Sequence, residues 1–210
     1  MDDSSAAPLL VVISAPSGGG KTTLCHQVLA ARPNMTRVIT CTTRLPRGAE
    51  KDGLDYYFLD EKTFQQKVDA GLFLEHAVVY GRRYGTLKSE VVDKLRARRD
   101  VILSLDVQGV ETICAKAKAD PELRAALVTV FLTPPSLEIL EQRLRKRGVD
   151  SPEVMRDRLA EVRREIVRWR SFDYLILSTT VAEDLRRMQA IIDAEKLRST
   201  RLRMPDMGFA

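Results

Sequence analysis

Residues 9–23 read Leu9-Leu10-Val11-Val12-Ile13-Ser14-Ala15-Pro16-Ser17-Gly18-Gly19-Gly20-Lys21-Thr22-Thr23: an unbroken leucine and β-branched run, a glycine turn, then Lys-Thr-Thr entering a helix. A short apolar run flanked by small residues predicts a strand buried on both faces of a parallel sheet. Gly18, Gly19 and Gly20 lack Cβ atoms, so successive backbone N–H groups can converge on phosphate oxygens, with the positive end of the next helix aimed at the same place. Lys21 then reaches the β- and γ-phosphates, Thr22 offers a hydroxyl to Mg2+, and Thr23 follows on the first helical turn. The stretch from Ala15, Pro16 and Ser17 through Thr23 is thus read as a phosphate-binding loop. One position departs from G-x-x-x-x-G-K-[ST]: the first glycine is Ala15, which leaves open whether the backbone there accepts a side chain.

The 210-residue chain, 44% hydrophobic, can bury a substantial core and fits one domain with inserted lobes. It contains no run of about 18 apolar residues, and residues 1–8 are small and acidic rather than basic and apolar. A cytoplasmic protein with no membrane span is the expectation. Cys25, Cys41 and Cys114 are odd in number and widely spaced, with only His26 and His76 to join them, which predicts reduced thiols and no zinc site. The net charge of +5 raises nucleic acid as a partner, but nine arginines fall between Arg143 and Arg170, so the basic excess is local. Arginines beside a phosphate loop point to nucleotide phosphates, and no aromatic platform accompanies the basic helices as single-strand binding would require.

Outward from the loop, the first helix ends at Arg32-Pro33-Asn34. Residues 37–43 alternate apolar and polar residues, 44–53 form a polar excursion, and 55–59 are strand-like. Asp60 caps a helix through Val68 that Gly71 closes. Residues 72–80 are extended, 81–85 turn, and 88–99 place Val91, Val92 and Leu95 on one helical face. Residues 101–106, ending in Asp106, are a second buried strand, followed by a helix over 110–119 and a third strand over 127–132. A helix from Pro134 ends at Gly148, and Ser151-Pro152 starts a longer one. There Met155, Leu159, Val162, Ile166 and Trp169 recur at helical spacing. A last strand at 174–177 and a helix at 183–197 complete an α/β chain with a parallel sheet and right-handed crossovers.

Taken together, Thr-Thr-Arg-Leu-Pro-Arg (42–47), Asp-Tyr-Tyr-Phe (55–58), Tyr-Gly-Thr (84–86), Leu-Asp-Val-Gln-Gly (105–109) and Pro-Pro-Ser (134–136) with the arginines that follow closely resemble guanylate kinase over residues 9–197. The resemblance implies ATP + GMP ⇌ ADP + GDP, with Mg2+, on a P-loop NTPase parallel sheet flanked by helices. It divides the single domain into a core (about 9–36, 100–135 and 170–198), an inserted GMP-binding lobe (about 37–99), a helical lid (about 136–169) and loose tails (1–8 and 199–210). Its partners are ATP and GMP, dGMP being left open, as is the oligomeric state.

Joining two polyanions requires cations and exclusion of water. Arg44 and Arg47, three apart on a turn stiffened by Pro46, suit the acceptor phosphate. The resemblance gives them that role, with Thr40, Tyr56 and Tyr84; for the two tyrosines, core packing is the alternative. Guanine presents N1–H and N2–H donors that one carboxylate can accept, and Glu75 matches the family's reader of that edge, completed by Asp106 and Thr86. Such a site leaves carboxylates poorly paired when AMP enters. Glu50 matches a position in the same lobe, with a loop salt bridge as the equal alternative. Arg143 and Arg147, on one helix face, and Arg158 match lid arginines that converge with Lys21 on the transferring phosphoryl group. Arg145, Arg163, Arg164 and Arg168 are read as solvated helix charges.

Three positions depart from the family: Ser104 for an acid two residues before Asp106, Ser178-Thr179-Thr180 for an Asn-Asp-Asp-like stretch near adenine, and Ala49 for a glycine. Two rival readings remain beside the kinase. One is a related small P-loop kinase of the ribose 1,5-bisphosphate type. The other is a catalytically inactive scaffold domain binding phosphorylated peptides, which would need neither Lys21 nor the lid arginines.

Overall fold

The computed structural model describes residues 6–79, 81–146 and 152–202. The apolar run at its centre becomes β1 (Leu10–Ser14), every residue of which is buried. It lies in a five-stranded parallel sheet with β2 (Met35–Arg37), β7 (Asp100–Leu105), β8 (Leu127–Thr133) and β9 (Tyr174–Leu177), in the order β2-β7-β1-β8-β9. Alternate residues of a strand face opposite ways, and here both ways lead into core. Leu9, Val11 and Ile13 pack with α1 (Lys21–Ala31) and α8 (Val181–Lys196). Leu10 and Val12 pack with α3 (Lys88–Arg96), α4 (Val107–Ala119) and α5 (Pro121–Ala126).

A second sheet is inserted after β2, in the order β4-β3-β6-β5: β3 (Cys41–Thr42), β4 (Tyr57–Phe58), β5 (Phe73–Val79) and β6 (Arg82–Leu87). With α2 (Glu61–Asp69) it has its own small core of Cys41, Phe64 and Phe73. After β8, α6 (Leu137–Lys146) and α7 (Pro152–Ile166) pair through Leu140, Leu144 and Val162.

Several elements differ from the sequence expectation. Residues 82–87 form a strand rather than a turn, because Gly85 is used for packing: a Cβ there would lie 2.9 Å from the Phe73 ring. The fourth helix begins at Val107, three residues early, because Asp106 accepts the Gly109 N–H at 2.7 Å and so caps it. Pro121–Ala126 is an additional helix capped by Asp120. The long helix stops at Ile166 and continues as a 3-10 turn, Val167–Ser171, so Trp169 lies beyond its regular stripe. Thr180 accepts the Glu183 N–H and starts the last helix at Val181. The two ends of the described residues meet, Ala6 bridging Leu202 and the Ala7 N–H donating to the Arg201 carbonyl. Gly148 and Ser151 lie outside the described residues.

Candidate active site

Between β1 and α1 the chain takes the tight path that a phosphate loop requires. Gly18 and Gly20 hold φ of +83° and +101°, a region that side chains disfavour. Gly19 is constrained differently, by space: a Cβ would sit 2.7 Å from that of Ala15 and 2.9 Å from the Pro16 carbonyl, to which the Gly19 N–H donates at 2.8 Å. Ala15 is accommodated because Gly19 opposite it has no side chain, and Ala15 itself has no positive φ. Helix α1 starts at Lys21 without a side-chain cap, so its first N–H groups and dipole are presented to an anion. The Lys21 ammonium folds back to the Ala15 carbonyl.

Two hollows flank this loop. The larger, about 830 Å³, is lined by Ser17, Lys21, Asp106, Arg158 and Glu165, among others. The smaller, about 340 Å³, is lined by Gly18, Gly20, Thr23, Arg143 and Ser178, Thr179 and Thr180. Arg143 and Arg158 therefore face different sides of the loop, and the structure does not bring them together; Arg147 lies outside the described residues. In the smaller hollow the Ser178 hydroxyl donates to Asp184 at 2.7 Å, and the Thr179 N–H to its other oxygen at 3.1 Å. Asp184, absent from the sequence reading, thus organises the hydroxyl stretch.

Beside the larger hollow, Glu75, Thr86 and Asp106 come together. Glu75 is 3% exposed and accepts the buried Thr86 hydroxyl at 2.5 Å. A Cβ on Gly109 would lie 3.2 Å from Glu75 Oε2 and 3.3 Å from Asp106 Oδ1, so the first turn of α4 runs against both carboxylates. Burial pushes the Glu75 carboxyl up to about 7, with the Thr86 hydroxyl opposing and the Asp106 charge reinforcing the rise. Lys116, on α4, donates to the Phe73 carbonyl at 3.0 Å and pulls Glu75 the other way.

The arginine turn forms a second cluster. Arg44, only 8% exposed, makes a forked pair with Glu50 at 2.6 and 2.7 Å, and its guanidinium lies 5.0 Å from the Tyr56 ring centroid. Tyr84 meets Tyr56 edge-on at 6.2 Å. The Arg47 N–H donates to Glu50 at 2.8 Å while its side chain is exposed. Hydrogen bonds from Arg44 and the Arg47 backbone hold the Glu50 carboxyl down at about 2, so Glu50 forms the loop salt bridge with Arg44. Thr40 enters this cluster through its carbonyl, which accepts the Tyr57 N–H at 2.9 Å.

Arg164 and Arg168 are exposed, as the helical-charge reading expects, and also edge the larger hollow, where Arg168 is held by both oxygens of Glu111 at 2.6 Å. Arg145 is solvated, paired with Glu141 on its own helix. Glu165 was not foreseen. Burial raises its carboxyl, and the Lys21 charge and Ser17 N–H oppose that rise. Its place on the arginine-rich α7 carried no signal of which face would turn to the loop. Ser104 is exposed, and the larger hollow is lined without it. The cysteines are free; burial pushes Cys25 up to about 11 and Cys41 up to about 12, leaving both protonated at neutral pH.

Among the described residues no three His, Cys, Asp or Glu side chains are grouped to hold a metal. One oxygen donor beside the loop is the exposed Thr22 hydroxyl in the first turn of α1. That suits a hard cation taking most of its oxygens from phosphate and water. No helix among the described residues is long and apolar enough to cross a membrane.

Comparison with known proteins bears on this arrangement. The family model described as guanylate kinase matches residues 8–195. Guanylate kinase of Maricaulis maris is 41% identical over 94% of this chain and 87% of its own length. That of Myxococcus xanthus is 43% identical over 96% and 93%. The crystal structure of guanylate kinase from Anaplasma phagocytophilum superimposes with a TM-score of 0.73 at 28% identity, covering 94% of this chain and 90% of that one. A match of this extent, on a chain whose phosphate-loop Lys21 shares a cleft with Asp106, places the protein in the guanylate kinase family.

Proposed function

We propose that this chain transfers the γ-phosphoryl group of ATP to GMP, giving ADP and GDP. The observation that carries the reading is adjacency: Asp106 lines one cleft with Lys21 and, across Gly109, adjoins the buried Glu75. A base-reading carboxylate pair thus abuts a phosphate loop. The loop N–H groups and Lys21 take the β- and γ-phosphates of ATP, whose base lies toward Ser178, Thr179 and Thr180. Arg44, Arg47, Tyr56, Tyr84 and Thr40 take the acceptor phosphate, while Glu75, Thr86 and Asp106 read guanine. Thr22 would hold the Mg2+ that accompanies ATP, with phosphate and water oxygens, adding positive charge beside the β- and γ-phosphates.

Phosphoryl transfer requires positioning and charge stabilisation rather than a protein nucleophile. Lys21 and Arg158 line one hollow already and Arg143 lines the other; closure of residues 136–169 would bring Arg143 and Arg147 to join them. A lid reading is supported by the apolar cluster of Leu140, Leu144 and Val162, which joins the two helices to each other beside the loop. The Cys41, Phe64 and Phe73 cluster supports an acceptor lobe within 37–99, which Val38, Leu74, Val91 and Leu95 tie to the central core. A cytoplasmic location accords with the three free cysteines.

The test is coupled ADP release with MgATP and GMP, dGMP, AMP, CMP or UMP as acceptor. Turnover confined to guanine acceptors, and lost in Lys21→Ala, is expected; dGMP reports whether the ribose 2′-hydroxyl is read. Equal turnover with AMP would refute the assignment of Glu75 and Asp106.

A further inference from the structure

The acceptor side rests on a closed ring of hydrogen bonds whose centre lies outside the residues assigned above. Its centre is Glu90 on α3, 15% exposed. One carboxylate oxygen accepts the Tyr57 hydroxyl at 2.8 Å; the other accepts the Ile39 N–H at 3.3 Å and is paired with Lys94 one turn along. The ring closes through the Tyr57 N–H, which donates to the Thr40 carbonyl at 2.9 Å. Lys94 reaches on to the Arg37 carbonyl at 3.4 Å, and Arg37 donates to the Asp55 carbonyl at 3.1 Å. Three separate stretches of chain, 37–40, 55–57 and α3, are thus tied at one carboxylate.

Helix α3 is itself anchored, since Val91 and Leu95 are buried in the core under the central sheet. What Glu90 holds is therefore held relative to the core. The residues it grips adjoin the acceptor-phosphate residues: Ile39 precedes Thr40, and Tyr57, the first residue of β4, follows Tyr56, whose ring lies 5.8 Å from that of Phe58 on the same side of the chain. Successive strand side chains project to opposite faces. Fixing the Tyr57 hydroxyl on the α3 side fixes the direction in which Tyr56 projects on the other, toward Arg44 and Tyr84. Both the Tyr57 hydroxyl and the Glu90 carboxylate register the bond, the former pushed up to about 12 and the latter down despite its burial. An exposed pair would contribute little; a carboxylate with three partners from three segments is a geometric constraint.

We propose that Glu90 is a positioning residue for the acceptor phosphate, acting through Tyr57 and Ile39 to set Tyr56 and Thr40 relative to the central sheet. The inference rests on the acceptor assignment of Tyr56 made above. Misplacing such groups through a distant substitution costs on the order of 10²-fold at most. Glu90→Ala and Tyr57→Phe are expected to raise KM for GMP about tenfold, with KM for ATP unchanged. Tyr57→Phe keeps the ring and removes only the hydroxyl, so it reports even if Glu90→Ala folds poorly. The double variant should be no worse than the more impaired single one, because both break one ring.

Equal rises in both KM values would mark a merely structural contact and overturn the proposal, as would unchanged KM for GMP in both variants. Tyr56→Phe separates the two readings. If it raises KM for GMP while Glu90→Ala and Tyr57→Phe do not, the positioning role fails and the acceptor site stands. If it leaves KM for GMP unchanged, the acceptor assignment of Tyr56 fails, and the positioning role with it.

Discussion

Glu75→Gln should make the protein more stable and disable it in the same step. The Glu75 carboxyl titrates at about 7 in the folded protein against 4.5 as the ordinary value, chiefly because it is buried. Between those two values the native state keeps a proton that the unfolded chain has released. Stability is therefore full below about pH 4.5 and declines as pH rises toward 7. At about 1.4 kcal/mol per pH unit, the loss reaches on the order of 3 kcal/mol at pH 8. Glutamine fills the same space, keeps an acceptor for the Thr86 hydroxyl and carries no charge to desolvate or to oppose Asp106. At pH 8 the variant should be more stable than wild type by about 2–3 kcal/mol, raising Tm by roughly 4–12 °C for a chain of this size. At pH 4.5 the two should coincide.

The same change places an NH2 donor where guanine offers donors, so kcat/KM for GMP should fall at least about a hundredfold. The assay is thermal unfolding of both proteins at pH 4.5, 6 and 8, with GMP kinetics at pH 8. Other shifted carboxyls, Glu165 among them, act on both proteins and cancel in the difference. A variant less stable than wild type at pH 8, or a difference that does not change with pH, would refute the reasoning.

Two further substitutions probe the loop and the arginine turn. Gly19→Ala forces a Cβ to 2.7 Å from Ala15 and 2.9 Å from the Pro16 carbonyl; it should cost about 1–3 kcal/mol and raise KM for ATP. Adding Ala15→Gly should restore part of the loss, since only one of the two clashes is with Ala15; unchanged Tm and KM in the single variant would count against the geometry. Glu50→Gln removes the carboxylate fork from Arg44 and should raise KM for GMP about three- to tenfold, whereas a fall would mean that Glu50 competes with the acceptor phosphate.

The phosphate loop was legible because its chemistry is local: a buried strand, glycines and Lys-Thr occupy consecutive positions, and backbone geometry over 15 residues suffices to make an anion site. Arg44 and Glu50 likewise lie on one turn. Parallel strands separated by helices follow from hydrophobic periodicity, which burial on both faces makes nearly continuous in β1. The sequence could not say why Ala15 is tolerated, because the answer is the missing side chain of Gly19 across the loop. Nor could it tell that Gly85 makes room for Phe73 instead of turning the chain, or which arginines of α7 face the cleft. Glu75 reads as an ordinary acid until α4 covers it, and Glu90 until Tyr57 and Ile39 are folded against it. Burial and partnership are properties of packed surfaces from distant segments; they set the Glu75 proton affinity and the Glu90 ring, and they exist only once the tertiary structure has formed.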